Sequence, residues 1–266
     1  MRWRSTAVSL GAVLAAGCAA QPAARQPAGT APRASAASHP GGGAPGTAAP
    51  TPSRPLVYVA VGASDAFGIG ASSRDAAWPY VFARTALPPG SRVLDLGIPA
   101  VTTGTAERVE VPAALAAAPD VVTVWLAGND VLRGVRPTDY EAALGRLVAR
   151  LRRGGRTTVL LGTTPPLEEL PAYRACRPDP PPGGPRCLYF GGAPDPAGLR
   201  AITNAYTGAA RRVARREGAR VVDLGKALQS GGPGAEHTLV ASDGFHPNDA
   251  GHAALGRAFA AAYRAG

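Results

Sequence analysis

Five short apolar runs constrain the fold of this chain more than any other feature: Leu56 to Val61, Val93 to Leu96, Val121 to Leu126, Thr157 to Leu161 and Ala219 to Leu224. Each is rich in Val and Leu, and most are flanked by Gly or Pro, the pattern of strands buried on both faces of a parallel sheet. Helical stretches lie between them. In the clearest, Thr138 to Arg153, Leu144, Leu147, Val148 and Leu151 fall on one face, Thr138 and Glu141 have capping-box spacing, and Gly154 follows as a terminator. Strand and helix alternate, which predicts an α/β fold: one doubly wound, three-layer sandwich around a central parallel sheet of about five strands, spanning residues 55–266. An insertion at 165–196 interrupts the alternation.

The residues before this domain cannot fold with it. Arg2 and Arg4 precede an uncharged stretch from Ser5 to Gly17, too short for a permanent membrane span, so residues 1–17 read as a signal peptide and the chain as exported. Leu14-Ala15-Ala16-Gly17-Cys18 resembles a bacterial lipobox, which makes Cys18 a lipidation site and places the protein at the membrane through a lipid anchor. The alternative is an ordinary signal with a nearby cut and a secreted, soluble product. From Ala19 to Arg54 there is no aromatic residue and no Val, Ile, Leu or Met, so residues 18–54 lack the apolar surface to offset their ordering entropy. As a flexible tether they would span on the order of 30 Å.

In an oxidising compartment, three cysteines leave one unpaired unless it has another task. Lipidation of Cys18 leaves Cys176 and Cys187, either as two free thiols or as a disulfide across the Pro- and Gly-rich stretch between them, a closure worth roughly 2 to 3 kcal/mol. Neither paired C-x-x-C motifs nor H-E-x-x-H occur, so no metal or other cofactor is expected. The net charge of +10 comes almost wholly from arginine and forms no single block. It reads as a solvated surface, with affinity for anionic envelope polymers as the alternative, and no motif supports nucleic-acid binding. The sequence does not specify an oligomeric state.

In open parallel sheets, ligands bind at the carboxyl ends of the strands. There the chain places Gly62-Ala63-Ser64-Asp65, Gly97-Ile98-Pro99, Gly128-Asn129-Asp130 and Ser242-Asp243-Gly244-Phe245-His246-Pro247-Asn248. A serine hydroxyl needs a base to take its proton, and that base needs an acid to fix its tautomer. Of the four histidines, His39 lies in the tether, His252 on a C-terminal helix running through Tyr263, and His237 in a Gly- and Pro-rich stretch. His246 alone has an aspartate three residues before it and a proline after it, a local turn that lets Asp243 reach one ring nitrogen and leaves the other facing the pocket. Trp78 and Trp125 read as core, and Asp65 and Asp130 neighbour the site without an assigned role.

These four motifs, in this order, resemble the blocks of the SGNH hydrolases, also called GDSL lipases and esterases, whose fold is flavodoxin-like. The resemblance spans Leu56 to Tyr263, and the joint occurrence of four blocks makes it specific. It implies Ser64 as nucleophile, Asp243 and His246 as acid and base, and an oxyanion hole from the N–H groups of Ser64 and Gly97 and the Asn129 amide. Ala63 departs from the family's Gly-Asp-Ser. The implied activity is hydrolysis of small-molecule, glycan or lipid carboxylic esters through an acyl-enzyme. The alternatives are an envelope-binding lipoprotein that does not use the chemistry, and an acyltransferase using the same residues.

Overall fold

The computed structural model describes residues 54–229 and 238–266. Its sheet contains β1 (Val57–Gly62), β2 (Arg92–Asp95), β3 (Val121–Trp125), β4 (Thr158–Gly162) and β5 (Arg220–Val222), all parallel, in the order β2-β1-β3-β4-β5. Every apolar run singled out above contributes a strand. The helices are α1 (Ser64–Phe67), α2 (Trp78–Ala86), α3 (Thr103–Ala116), α4 (Gly128–Leu132), α5 (Pro137–Arg152), α6 (Pro171–Arg174), α7 (Pro196–Glu217), α8 (Leu224–Leu228) and α9 (Asp249–Arg264).

Alternation along each strand divides the core in two. Val59 and Val61 of β1 pack with Val122 and Val124 of β3 against α3, α5 and α7. Tyr58 and Ala60 face the other way, with Val121 and Trp125, against α2 and α9. The result is the expected three-layer sandwich. Connections leave β1 toward β2 on one side and return to β3 on the other, so the crevice at the strand ends opens between β1 and β3.

Three local expectations need correction. The fifth helix begins at Pro137, not Thr138, with Arg136 as its N-cap and no side-chain cap. Pro137 fixes the first helical φ, and Glu141 pairs with Arg212 on α7 at 2.6 Å instead of closing a capping box. The left-handed residue that ends the helix is Arg153 (φ 48), with Gly154 (φ 65) behind it. At the domain's edge, Arg54 forms an ion pair with Asp120 at 2.5 Å and so touches the folded unit.

Between β4 and α7 the insertion has a small core of its own, in which Leu167, Leu170, Ala172, Tyr173 and Phe190 pack with Leu199 and the partly buried Phe245. Cys176 and Cys187 form a disulfide within it. Among the described residues no helix is long and apolar enough to cross a membrane, and no group of three or more His, Cys, Asp or Glu side chains could hold a metal ion.

Candidate active site

β1 ends in a turn that leaves no room for side chains. A Cβ on Gly62 would lie 2.8 Å from Ala66 Cβ and 3.0 Å from the Trp125 carbonyl. Ser64 follows as the first residue of α1, so its N–H has no intrahelical acceptor. Gly97, beyond β2, lies directly against this turn: a Cβ there would fall 2.5 Å from Phe67 N and 2.9 Å from the Ala63 carbonyl oxygen. Beneath it, the Gly62 N–H donates to Glu110 Oε2 at 2.9 Å. Glu110 is only 1% exposed, and its Oε1 has no partner among the described residues. Burial pushes this carboxyl up to about 8, so it is mostly neutral near pH 7 and places no full charge under the serine.

From the far end of the domain, a tight turn before α9 brings in the imidazole. Gly244 (φ 69) reverses the chain, the Gly244 N–H donates to the Ala241 carbonyl, and the Ala241 N–H donates to the His246 carbonyl. Asn248 caps α9 by accepting from the Gly251 N–H, and its amide donates to the Val240 carbonyl. Within this frame His246 Nδ1 lies 2.5 Å from Asp243 Oδ2, and His246 Nε2 lies 2.9 Å from Ser64 Oγ, across 182 residues of sequence. Ser64 and His246 are each 6% exposed. Asp243 Oδ1 accepts from the Phe245 and His246 N–H groups. Burial opposes ionisation of Asp243, yet the His246 ring and these two N–H groups outweigh it and hold the carboxyl below its usual range. An ionised acceptor at Nδ1 puts the ring proton there and leaves Nε2 to accept from the serine hydroxyl.

Asn129 is the second residue of α4 and lines the crevice. Its amide makes no hydrogen bond to the described residues, and α4 starts from Ala127 at φ 109, a strained position for a residue with a side chain. Asp130, beside it, ties the wall down by accepting from the N–H and hydroxyl of Thr103 on α3. The Gly97 N–H is differently placed from the other expected donors, because it donates to Asp95 Oδ1 at 3.0 Å. Asp65, next to Ser64 on α1, is pushed up to about 6 by burial, with His246 opposing the rise and Asp243 adding to it.

A cleft that includes Ser64 and Asn129 is lined by apolar side chains, among them Trp125, Leu126, Leu167, Leu170, Leu228 and Phe245. Trp125 therefore serves both core and cleft, whereas Trp78 is core alone. Pro165, Leu170, Leu228, Leu239 and Val240 also line a second hollow, together with Glu169 and Gln229. His252 is fully buried: it accepts from the Trp78 N–H at Nδ1, which leaves Nε2 to donate to the Ile69 carbonyl. Cys18, His39, His237 and residues 1–17 lie outside the described residues. Sequence reasoning missed Glu110, Asp95 and Tyr189, whose hydroxyl donates to Asp243 Oδ2 at 3.2 Å. Only Glu110 had a legible signal, since it falls with Thr103, Ala106, Val111 and Ala114 on the buried face of α3.

A family model described as the GDSL-like lipase/acylhydrolase family matches residues 58–254. Among solved structures, the chain is similar to LAE5, an alpha/beta hydrolase enzyme from the metagenome of Lake Arreo, with 24% identity and a TM-score of 0.57, covering 78% of this chain and 94% of that one. It is also similar to a catalytic mutant of Axe2, an acetylxylan esterase from Geobacillus stearothermophilus, with 22% identity and a TM-score of 0.57 over 78% and 93% of the two chains. A third is the lipase/acylhydrolase from Enterococcus faecalis, with 20% identity and a TM-score of 0.57 over 79% and 96%. At these identities the likeness establishes the fold. No curated protein matches the chain by sequence.

Proposed function

The chain belongs to the GDSL-like lipase/acylhydrolase family, and from that premise we propose that it hydrolyses carboxylic esters through an acyl-enzyme on Ser64. The observation that carries this reading is the continuous relay from Ser64 Oγ through His246 to Asp243. His246 Nε2 takes the hydroxyl proton as Oγ attacks the ester carbonyl, and the Asp243 carboxylate stabilises the imidazolium that forms. His246 then gives that proton to the leaving alcohol. In the second half, His246 takes a proton from water as the water attacks the acyl carbonyl, then returns it to Ser64 Oγ as the Oγ–acyl bond breaks and the carboxylic acid leaves.

The carbonyl oxygen gains negative charge at each attack, and the Ser64 N–H and the Asn129 amide are the donors free to meet it. Gly97 joins them when the Asp95 side chain changes rotamer and releases its N–H. The apolar cleft holds the acyl group, so the reading favours acyl chains of several carbons over acetyl. Carbohydrate acetyl esters are the second reading, by likeness to Axe2. Export through residues 1–17, lipidation of Cys18 and a tether to the domain complete the proposal and put the site outside the membrane, on an anchor. Cleavage of an ordinary signal would give a soluble secreted enzyme instead.

Hydrolysis of p-nitrophenyl esters from acetyl to octanoyl tests this reading. The expected kcat/KM rises by about 3- to 4-fold per methylene until the cleft is filled, and Ser64→Ala turns over none of the esters. A folded wild type inactive on the whole series would favour the envelope-binding alternative. An acid product replaced by an acylated acceptor sugar would favour acyl transfer.

A further inference from the structure

The turn that carries Asp243 and His246 is gripped from outside by the insertion. The Ala172 N–H on α6 donates to the Gly244 carbonyl at 3.0 Å. Pro171 and Pro185 occupy the space where a Gly244 side chain would begin, with carbons 2.9 and 2.7 Å from that position. Two residues after Cys187, the Tyr189 ring stacks on Phe245 at 4.6 Å between centroids and meets the His246 ring edge-on at 5.9 Å. Its hydroxyl reaches Asp243 Oδ2, the oxygen that also holds His246 Nδ1.

Asp243 therefore has four donors of two kinds. The Phe245 and His246 N–H groups and the His246 ring belong to its own turn. Tyr189 arrives from 54 residues away, two residues beyond the loop that the Cys176–Cys187 disulfide closes. The disulfide spans the segment from α6, which binds Gly244, to the residues just before Tyr189, so it closes one clamp over the turn.

We infer that Tyr189 is a positioning residue for the Asp243–His246 pair, and that the Cys176–Cys187 disulfide acts on turnover by holding Tyr189 there. This rests on the serine-hydrolase reading above. A hydroxyl on Oδ2 takes up part of the carboxylate's acceptor strength and fixes the direction in which that oxygen meets the imidazole. The stacked ring limits tilting of Phe245 and His246. Burial and the neighbouring Asp243 charge raise the Tyr189 hydroxyl above its ordinary value, so it remains a donor across the working range. Among the described residues, the other titratable groups bearing on the pair are Asp65 on α1 and His252 on α9. Neither lies on the insertion.

The test is a double-mutant cycle on p-nitrophenyl ester turnover with Tyr189→Phe, the Cys176→Ser/Cys187→Ser pair, and all three substitutions together. Tyr189→Phe keeps the ring, and its expected effect is a loss of kcat of about 5-fold with KM within about 2-fold of wild type. The acid limb of its pH profile moves to higher pH, because Asp243 without the hydroxyl binds the imidazolium more tightly. Removing the disulfide lowers kcat at least as far, and Tyr189→Phe adds little in that background. Wild-type kcat and an unmoved acid limb in Tyr189→Phe would overturn the inference, as would losses that multiply in full. Tyr189→Phe decides the positioning role by itself if the disulfide-free chain does not fold. Turnover in wild type but not Ser64→Ala, beside an unaffected Tyr189→Phe, would leave the parent reading standing and remove only this one. A wild type without turnover overturns both.

Discussion

His246→Ala lowers kcat for a p-nitrophenyl ester on the order of 10⁴- to 10⁶-fold, because it removes the only base in contact with Ser64 Oγ among the described residues. The fold survives the change. The N–H groups of residues 245 and 246 still reach Asp243 Oδ1, and the Gly244 turn and the Asn248 cap do not use the imidazole. Far-UV circular dichroism therefore stays at the wild-type spectrum while turnover approaches that of the oxyanion donors acting alone. A folded variant that keeps turnover within about tenfold of wild type would exclude His246 as the base.

Asn129→Ala has the second largest effect, a fall in kcat of about 100- to 1,000-fold. The amide lines the same cleft as Ser64, free of hydrogen bonds to the described residues, on a helix fixed by the Asp130–Thr103 bonds. Such a donor meets the oxyanion more strongly than the ground-state carbonyl, so kcat falls and KM changes little. Asn129→Asp falls at least as far, since a carboxylate there faces the developing negative charge. Steady-state kinetics separate the alternatives. A rise in KM with kcat unchanged would assign Asn129 to substrate binding.

The strands and the order of the site motifs were legible because both follow local rules: apolar runs bounded by Gly or Pro make buried strands, and the polar motifs must sit where those strands end. The start of α5 was misread because capping-box spacing at Thr138 looks alike whether Glu141 turns back on its own helix or reaches Arg212 on α7. Proline at position 137 was the better signal. Cysteine parity pointed to the 176–187 bridge, but no local pattern places Tyr189 on Asp243, because that contact depends on how the insertion folds over a turn 54 residues later. Asp95 is hidden for a related reason. Its hold on the Gly97 N–H is a matter of rotamer, and a carboxylate at a strand end has many partners within reach.

Gly97 also shows how one residue can be required twice. The family resemblance marks it as an oxyanion donor, while the packing makes any side chain there collide with the backbone of α1. The same close approach brings its N–H to the edge of the nucleophile turn. Glu110 also supports this turn, accepting from the Gly62 N–H with a carboxyl that burial pushes up to about 8.

In the proposed mechanism Ser64 Oγ is the atom that becomes acylated. Treatment of the folded protein with a fluorophosphonate, followed by peptide mass spectrometry, reads this directly. The expected adduct is on Ser64, is absent from Ser64→Ala, and is strongly slowed in His246→Ala. Labelling that persists in Ser64→Ala, or an adduct found on another residue of the wild type, would contradict it.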